Sequence, residues 1–250
     1  MPTIQTVCRE CGTPGVVEVD SICAAVFTYP STPYPWYCPP CKAKHDRVAY
    51  EQEQIAKQEE HAAYIESALE LAGVPRNYRV AEPPVRFVAE YMVAAVARKP
   101  GNLLVNGDTG AGKSTSAGYL ARTFIEAGKR VKYLSLADLL DQWRQARAGD
   151  NRVSAVEFAA RLERCDLLII DEASADKTVV TDSGRECMWR LLEDVYNGYT
   201  YAHVVFLGNY YKGSVGDVFG NESAARRRLA FAFECVTIDR RNEKIIRIGM

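Results

Sequence analysis

Residues 103–114 read Leu-Leu-Val-Asn-Gly-Asp-Thr-Gly-Ala-Gly-Lys-Ser, and this segment gives the strongest indication of the fold. An apolar run typical of a buried strand leads into the pattern GxxxxGK[ST], and a helical run follows. The glycines allow backbone N–H groups to wrap phosphates, and the helix N-terminus adds its positive end. Lys113 is predicted to reach the β- and γ-phosphates of ATP, and the Ser114 hydroxyl to bind Mg²⁺. The predicted ATP-binding residues are Gly107, Asp108, Thr109, Gly110, Ala111, Gly112, Lys113, Ser114 and Thr115.

A second apolar run, Asp166-Leu-Leu-Ile-Ile-Asp-Glu172, ends in two adjacent acids. A buried strand that delivers two carboxylates to its C-terminal end suits a nucleotide site that needs a metal and a water activator. Asp171 is predicted to bind the coordination shell of Mg²⁺, and Glu172 is predicted to polarise the attacking water. The alternative is an ordinary strand end with two solvated acids.

A polar residue also follows the third apolar run, His203-Val-Val-Phe-Leu, which leads to Gly208 and Asn209. An amide at that strand end can lie between the acid and the γ-phosphate and orient the water. Asparagine is also a common turn residue, so the order of these runs in the chain carries the functional interpretation.

The C-terminal part of the sequence is locally basic. Residues 226–247 carry seven basic side chains and three acids. One interpretation is a solvated basic face. The other is an arginine finger among Arg226, Arg227 and Arg228, which would stabilise transition-state charge on a neighbouring subunit's ATP.

From about residue 76, strand-like runs alternate with helical ones, and this alternation predicts an α/β domain with a mainly parallel sheet. We expect strands at 102–105, 131–136, 166–170, 203–207 and 236–238. We expect helices at 113–127, 137–147, 153–164 and 183–198. A run without Gly or Pro, 49–72, predicts a further helix that Gly73 and Pro75 end. The expected division is therefore residues 1–48, a linking helix at 49–72, and an α/β domain at 73–250.

Residues 1–48 hold five of the eight cysteines, including the pairs Cys8-x-x-Cys11 and Cys38-x-x-Cys41, separated by 26 residues. Two such pairs offer four sulfurs, the ligand set of a structural zinc site. We predict a small zinc-binding β module with these four ligands and a short hairpin from 16–19 and 24–28. Cys23 and His45 are alternative ligands, and buried thiols or a redox pair are the alternative interpretation. Cys165, Cys187 and Cys235 are predicted core thiols.

Bulk properties limit the other function classes. The chain has 250 residues, 48% of them hydrophobic, and a formal net charge of −1, so no global basic field indicates nucleic-acid binding. No apolar run of about 18 residues and no signal-peptide pattern is present, which predicts a cytosolic protein without membrane contact. Charges also balance within residues 1–48, where aromatic side chains are frequent. That composition favours a protein surface over a phosphate backbone as this module's partner.

These motifs together resemble the AAA+ ATPases of the DnaC/DnaI/IstB group, over about residues 70–250. Gly73–Arg79 is similar to the group's adenine-side segment, Gly107–Ser114 to Walker A and Asp166–Glu172 to Walker B. Asn209 corresponds to sensor 1, and Arg228 to the box VII arginine. Gly220 and Asn221 stand where the group more usually has G-E-R, which leaves the choice among the three arginines open.

The resemblance implies a lidless AAA+ P-loop domain, because the chain stops soon after the last strand. A zinc module and a helix before such a domain are similar to DnaI-type loaders. This implies an ATPase that grips a DnaB-type replicative helicase through its N-terminal module, binds single-stranded DNA and self-associates through the ATP site. Residues 137–164 lie where relatives place a DNA-tracking helix, although an ordinary amphipathic helix explains their spacing equally. Divergence from the group points to a phage or mobile-element member in a bacterial cytoplasm.

Two other functions remain open from the sequence. One is an IstB-like transposase helper ATPase with duplex DNA as its partner, for which a helical or basic N-terminus would be expected. The other is a nucleotide-switched adaptor with little turnover, against which the presence of both Glu172 and Asn209 argues.

Overall fold

The computed structural model describes residues 3–18, 37–99, 101–148, 164–173, 182–198, 203–209 and 222–247. The chain divides into two compact units, Met1–Ala63 and Tyr64–Met250. The predicted strand at 24–28 and residues 153–163 of the predicted helix at 153–164 lie outside the described residues. Within the described ranges, no helix is long and apolar enough to cross a membrane.

The first unit contains a two-stranded antiparallel hairpin, β1 (Thr3–Val7) and β2 (Pro14–Glu18). The turn between them is closed by backbone hydrogen bonds from Cys8 N to the Thr13 oxygen at 2.8 Å and from Gly12 N to the Cys8 oxygen at 2.9 Å. Gly12 has φ +72°, a left-handed conformation that glycine adopts without a Cβ penalty. The first Cys-x-x-Cys pair therefore lies on a tight turn.

Helix α1 spans Pro39–Leu71 and begins ten residues before the predicted start of the linking helix. Proline is tolerated in the first turn of a helix, where its missing N–H would have no helical partner. The Lys42 N–H already donates to the Cys38 oxygen at 2.8 Å. The second Cys-x-x-Cys pair consequently lies at a helix N-terminus rather than in a second β turn. Exposed i,i+4 ion pairs, Arg47–Glu51 and Lys57–Glu53, support this largely polar helix.

The second unit is built on a six-stranded sheet in the order β4-β5-β6-β3-β7-β8. The strands are β3 (Leu103–Gly107), β4 (Val131–Ser135), β5 (Leu167–Asp171), β6 (His203–Gly208), β7 (Glu234–Asp239) and β8 (Lys244–Arg247). The first five in this spatial order are parallel, and β8 pairs antiparallel with β7. The predicted mainly parallel sheet is confirmed, whereas the edge strand β8 was not predicted.

Helices cover both faces of this sheet. They are α2 (Arg86–Val96), α3 (Lys113–Glu126), α4 (Leu136–Ala148), α5 (Asp182–Asn197) and α6 (Glu222–Ala232), with a 3₁₀ turn at Arg76–Tyr78. Alternate strand residues enter two separate cores, for example Leu168 and Ile170 on one face and Leu167 and Ile169 on the other. All five residues of β5 are buried, as expected for a central parallel strand.

Candidate nucleotide and metal sites

The loop between β3 and α3 has the backbone that phosphate binding requires. Gly110 and Gly112 have φ of +78° and +88°, so residues with side chains would be strained at both positions. A Cβ at Gly112 would also lie 2.7 Å from Cγ2 of Val85. The loop opens at the carboxyl ends of parallel strands, where ligands of α/β folds bind. Residues 107–112 therefore form a glycine cradle that fits a phosphate group.

Lys113 connects this loop to the neighbouring strand. Its ammonium donates to the carbonyl oxygens of Gly107 at 2.5 Å and Asp108 at 3.0 Å, and to Oδ1 of Asn209 at 2.7 Å. Nδ2 of Asn209 donates to Oγ1 of Thr109 at 3.3 Å. Burial lowers the pKa of Lys113, and the nearby carboxylates of Asp171 and Asp108 oppose that shift. The structure thus brings the predicted lysine, threonine and asparagine together.

Asp171 is one of the few charged side chains buried among the described residues, at 6% exposure. Its Oδ2 accepts a hydrogen bond from the Tyr133 hydroxyl at 2.5 Å, and its Oδ1 accepts one from the Glu172 N–H at 2.7 Å. Burial, together with the Asp171 charge, raises the pKa of Tyr133, so the phenol keeps its proton and donates it. Both oxygens of the predicted magnesium-binding acid are therefore fixed.

Glu172 adopts φ +55°, which is uncommon for a residue with a side chain. Beyond the end of β5, the Ala173 N–H still donates to the Leu207 oxygen of β6 at 2.8 Å, so the chain stays beside β6. Glu172 is therefore an exposed residue at a local irregularity between Asp171 and Ala173. Such strained conformations cluster at functional sites, where the surrounding structure imposes them.

Arg228, the predicted finger, lies on α6 and contacts α5. Its Nη2 is 3.2 Å from Oε1 of Glu193, and its guanidinium carbon lies 4.5 Å from the ring centre of Trp189 and 5.5 Å from that of Tyr196. The adjacent Arg226 and Arg227 are exposed on the same helix. The structure therefore places the three candidates differently: one is packed against its own chain, and two face solvent.

Two residues at this site were not predicted from the sequence. Tyr133 reaches Asp171 because β4 pairs with β5, a long-range pairing that leaves no local pattern. Arg240, in the turn between β7 and β8, donates from Nη1 to the Gly110 oxygen at 2.6 Å. A cleft of about 1010 Å³ opens there, lined by the loop, Asn209 and residues 237–242. The adjacent arginines at 240 and 241, after a predicted strand, were the available signal for this side of the cleft.

The four predicted zinc ligands lie together in the first unit. The sulfur atoms of Cys8, Cys11, Cys38 and Cys41 are all within 4.8 Å of one another, and those of Cys11 and Cys38 are 3.6 Å apart. Tetrahedral zinc with Zn–S bonds of about 2.3 Å needs sulfurs roughly 3.8 Å apart. Backbone N–H groups, first that of Cys11 and then that of Cys38, lower the pKa of Cys8 to about 6, whereas the hydrogen bond with Cys38 raises the pKa of Cys41, as expected for adjacent thiols that share protons. The donor set and its spacing fit zinc.

The remaining cysteines and the alternative ligands are placed differently. Burial raises the pKa of Cys165 to about 11, and those of Cys187 and Cys235 to about 12, so all three are neutral core thiols, as predicted. Nε2 of His45 lies 3.0 Å from Glu10, and its ring lies 4.3 Å from that of Tyr37. Cys23 lies outside the described residues.

The parallel sheet, the glycine loop that follows β3, the acid at the end of β5 and the amide just after β6 define an ATP-binding P-loop domain of the AAA+ class. The family of IstB-like ATP binding proteins matches residues 44–239, and the chain belongs to that family. Comparison with curated proteins gave no significant match.

Solved structures are similar to this chain at low identity. The crystal structure of the DnaC helicase loader has a TM-score of 0.52 at 17% identity, over 66% of this chain and 100% of that one. A DnaI crystal structure has a TM-score of 0.47 at 16% identity, and the match covers 66% of this chain and 91% of that one. AMPPCP-bound DnaA from Aquifex aeolicus has a TM-score of 0.47 at 16% identity, and the match covers 66% of this chain and 51% of that one. The likeness to the DnaC structure shows a shared fold.

Proposed function

We propose that this protein is an ATP-dependent loader that places a DnaB-type replicative helicase on single-stranded DNA during DNA replication. The observation that carries the proposal is a zinc-type cysteine cluster in a unit separate from an IstB-like ATP-binding domain. In this proposal residues 1–48 form the helicase-gripping module, 49–72 the linking helix and 73–250 the ATPase domain. In this proposal the protein acts in a bacterial cytoplasm, as a phage or mobile-element member of its family.

The N-terminal unit supports a protein-binding role through its charges. One of its acidic side chains, Glu10, forms an ion pair with Lys44 at 2.7 Å and lies 3.0 Å from Nε2 of His45. Paired charges leave little uncompensated field to attract a phosphate backbone. A structural zinc ion held by the four cysteines would stabilise this small unit, because metal binding supplies folding free energy that so few apolar residues cannot.

The ATP site supports hydrolysis as well as binding. Lys113 would exchange its bonds to the loop carbonyls and Asn209 for bonds to phosphate oxygens. Asn209 would then be free to orient the attacking water, and Glu172 would polarise it. Ser114 and Asp171 would hold Mg²⁺, which would neutralise the charge that develops on the phosphates.

Self-association would complete the site. An arginine from a neighbouring subunit, Arg228 in our proposal, would stabilise the developing charge on the phosphates. In one chain this arginine contacts Glu193, so assembly has to release or bypass that ion pair. This requirement predicts slow hydrolysis by the monomer and faster hydrolysis after assembly or on DNA.

A capture experiment tests the loader proposal directly. The full chain, loaded with zinc, is immobilised and offered a bacterial DnaB-type helicase, with the chelated chain and the double variant Cys8→Ser/Cys38→Ser in parallel. Capture that requires zinc and the cysteines supports the loader. A Lys113→Ala variant is the matched control, because it alters the ATP site and leaves the cluster intact. Equal capture by all chains, or by none, contradicts the proposed role of the module.

The family match favours a second candidate, a transposase helper ATPase acting on duplex DNA. The same chain with ATP and Mg²⁺ is then tested against single-stranded and duplex DNA of equal length. Duplex binding without helicase capture would contradict the loader and favour the transposase helper.

A further inference from the structure

We propose that Tyr133 is a positioning residue for the magnesium site, acting through Asp171. Its hydroxyl donates to Oδ2 of Asp171 at 2.5 Å, and it also faces the hydroxyl of Ser114. These are the two side chains assigned to Mg²⁺, one from each of two separate segments of the chain. The inference therefore rests on the proposed assignment of Ser114 and Asp171.

The location of Tyr133 explains how it reaches both groups. Tyr133 lies on β4 and pairs in register with Ile169 of β5, and Ile169 is two residues before Asp171. The Tyr133 side chain is only 3% exposed and packs in the core between the sheet and α3. Helix α3 begins at Lys113 and includes Ser114. The phenol thus approaches the metal-binding side chains from beneath the loop rather than from the open cleft.

The hydroxyl fixes the carboxylate in one orientation. The Glu172 N–H holds Oδ1 at 2.7 Å while Tyr133 holds Oδ2, so rotation of the carboxylate would break two hydrogen bonds. Each carboxylate oxygen has two acceptor sites, and each therefore keeps one for the hydration shell of the metal. A buried carboxylate that is held in advance loses less entropy when the metal binds.

A phenylalanine would fill the same core volume without this contact, which makes the Tyr133→Phe variant a selective test. The matched control is Tyr91→Phe. Tyr91 also donates its hydroxyl to a carboxylate, Glu234 Oε1 at 2.7 Å, but it does so from α2 to the first residue of β7. Both substitutions remove one phenol–carboxylate hydrogen bond, and only one of them touches the proposed magnesium site.

The experiment measures equilibrium affinity for a fluorescent ATP analogue, by anisotropy, in Mg²⁺ and in EDTA. We expect Tyr133→Phe to weaken binding about tenfold in Mg²⁺, equivalent to about 1.4 kcal/mol, and less than twofold in EDTA. Tyr91→Phe should match the wild type in both buffers. Wild-type affinity in Mg²⁺, or an equal loss in both buffers, would overturn the positioning role, because a general packing defect does not depend on the metal.

A double-mutant cycle separates this inference from the proposed function on which it rests. In an Asp171→Asn chain, the added Tyr133→Phe change should have no further effect on the Mg²⁺ dependence. An additive loss would mean that Tyr133 does not act through Asp171. If Asp171→Asn itself leaves the Mg²⁺ dependence unchanged, the assignment of Asp171 fails, and the positioning role fails with it. Chemical denaturation of every variant checks that each one is folded.

Discussion

Gly118 lies within α3 where the 3₁₀ turn Arg76–Tyr78 crosses the helix, and we predict that Gly118→Ala destabilises the protein. A Cβ at this position would lie 2.0 Å from the carbonyl oxygen of Tyr78, 2.9 Å from its carbonyl carbon and 3.0 Å from its Cβ. Contacts under 3.0 Å essentially never occur for real Cβ atoms, so the two backbones have to separate by about 1 Å. A main-chain carbonyl cannot rotate away as the end of a flexible side chain can.

Two opposing contributions set the change in the free energy of unfolding that Gly118→Ala causes. Alanine is better than glycine in a helix interior by about 1 kcal/mol. Overpacking against rigid neighbours costs typically about 1–3 kcal/mol, and here the neighbour is backbone, so we take the upper end. The expected net result is a loss of about 2 kcal/mol in the free energy of unfolding, opposite in sign to the usual effect of Gly→Ala in a helix.

Urea denaturation followed by circular dichroism measures this change, and titration with a fluorescent ATP analogue measures its effect on the site. Because Tyr78 belongs to the segment that resembles the adenine-side region, ATP binding should weaken as well. Gly128→Ala is the control: Gly128 has φ +71° and open space around its Cβ position, so only backbone strain of about 1 kcal/mol is expected, with unchanged ATP affinity. An unfolding free energy at or above the wild-type value for Gly118→Ala would show that the helix and the turn accommodate the added methyl group without cost.

Three further predictions concern the two sites. Lys113→Ala should weaken ATP binding about 100-fold, as measured by fluorescence titration, because hydrogen bonds from a charged donor are worth about 1.5–3 kcal/mol. The control is Lys129→Ala, which removes an exposed lysine and should bind ATP as the wild type does. Glu172→Gln should slow phosphate release at least roughly 100-fold with ATP affinity unchanged, and equal rates in both proteins would support the adaptor with little turnover. Native mass spectrometry should find one zinc ion per chain, lost from Cys8→Ser and retained by Cys187→Ala; a metal-free wild type would contradict the zinc site.

Local sequence patterns predicted the parts of the protein that neighbouring residues build together. The loop at 107–114 and the buried strand ending at Asp171 each lie within one short segment, and their glycines, apolar run and acid are visible there. The four cysteines were visible for the same reason, since paired Cys-x-x-Cys spacing indicates shared ligation. The predicted start of α1 was ten residues too late, because the proline-containing stretch before residue 49 shows little helical periodicity, although proline is tolerated in the first turn of a helix.

Contacts between distant segments were decided by the tertiary structure alone. Tyr133 meets Asp171 only because β4 pairs with β5, and Arg240 meets Gly110 only because β7 lies beside β3. The sequence shows Arg228 as one of three adjacent arginines. Only the packing of α6 on α5 places it against Glu193 and Trp189. The chemical groups of the predicted ATP site could be read from the sequence, because each motif lies within one short segment. The tertiary structure decided which side chains hold those groups in place, because strand order and helix packing join residues that no local pattern connects.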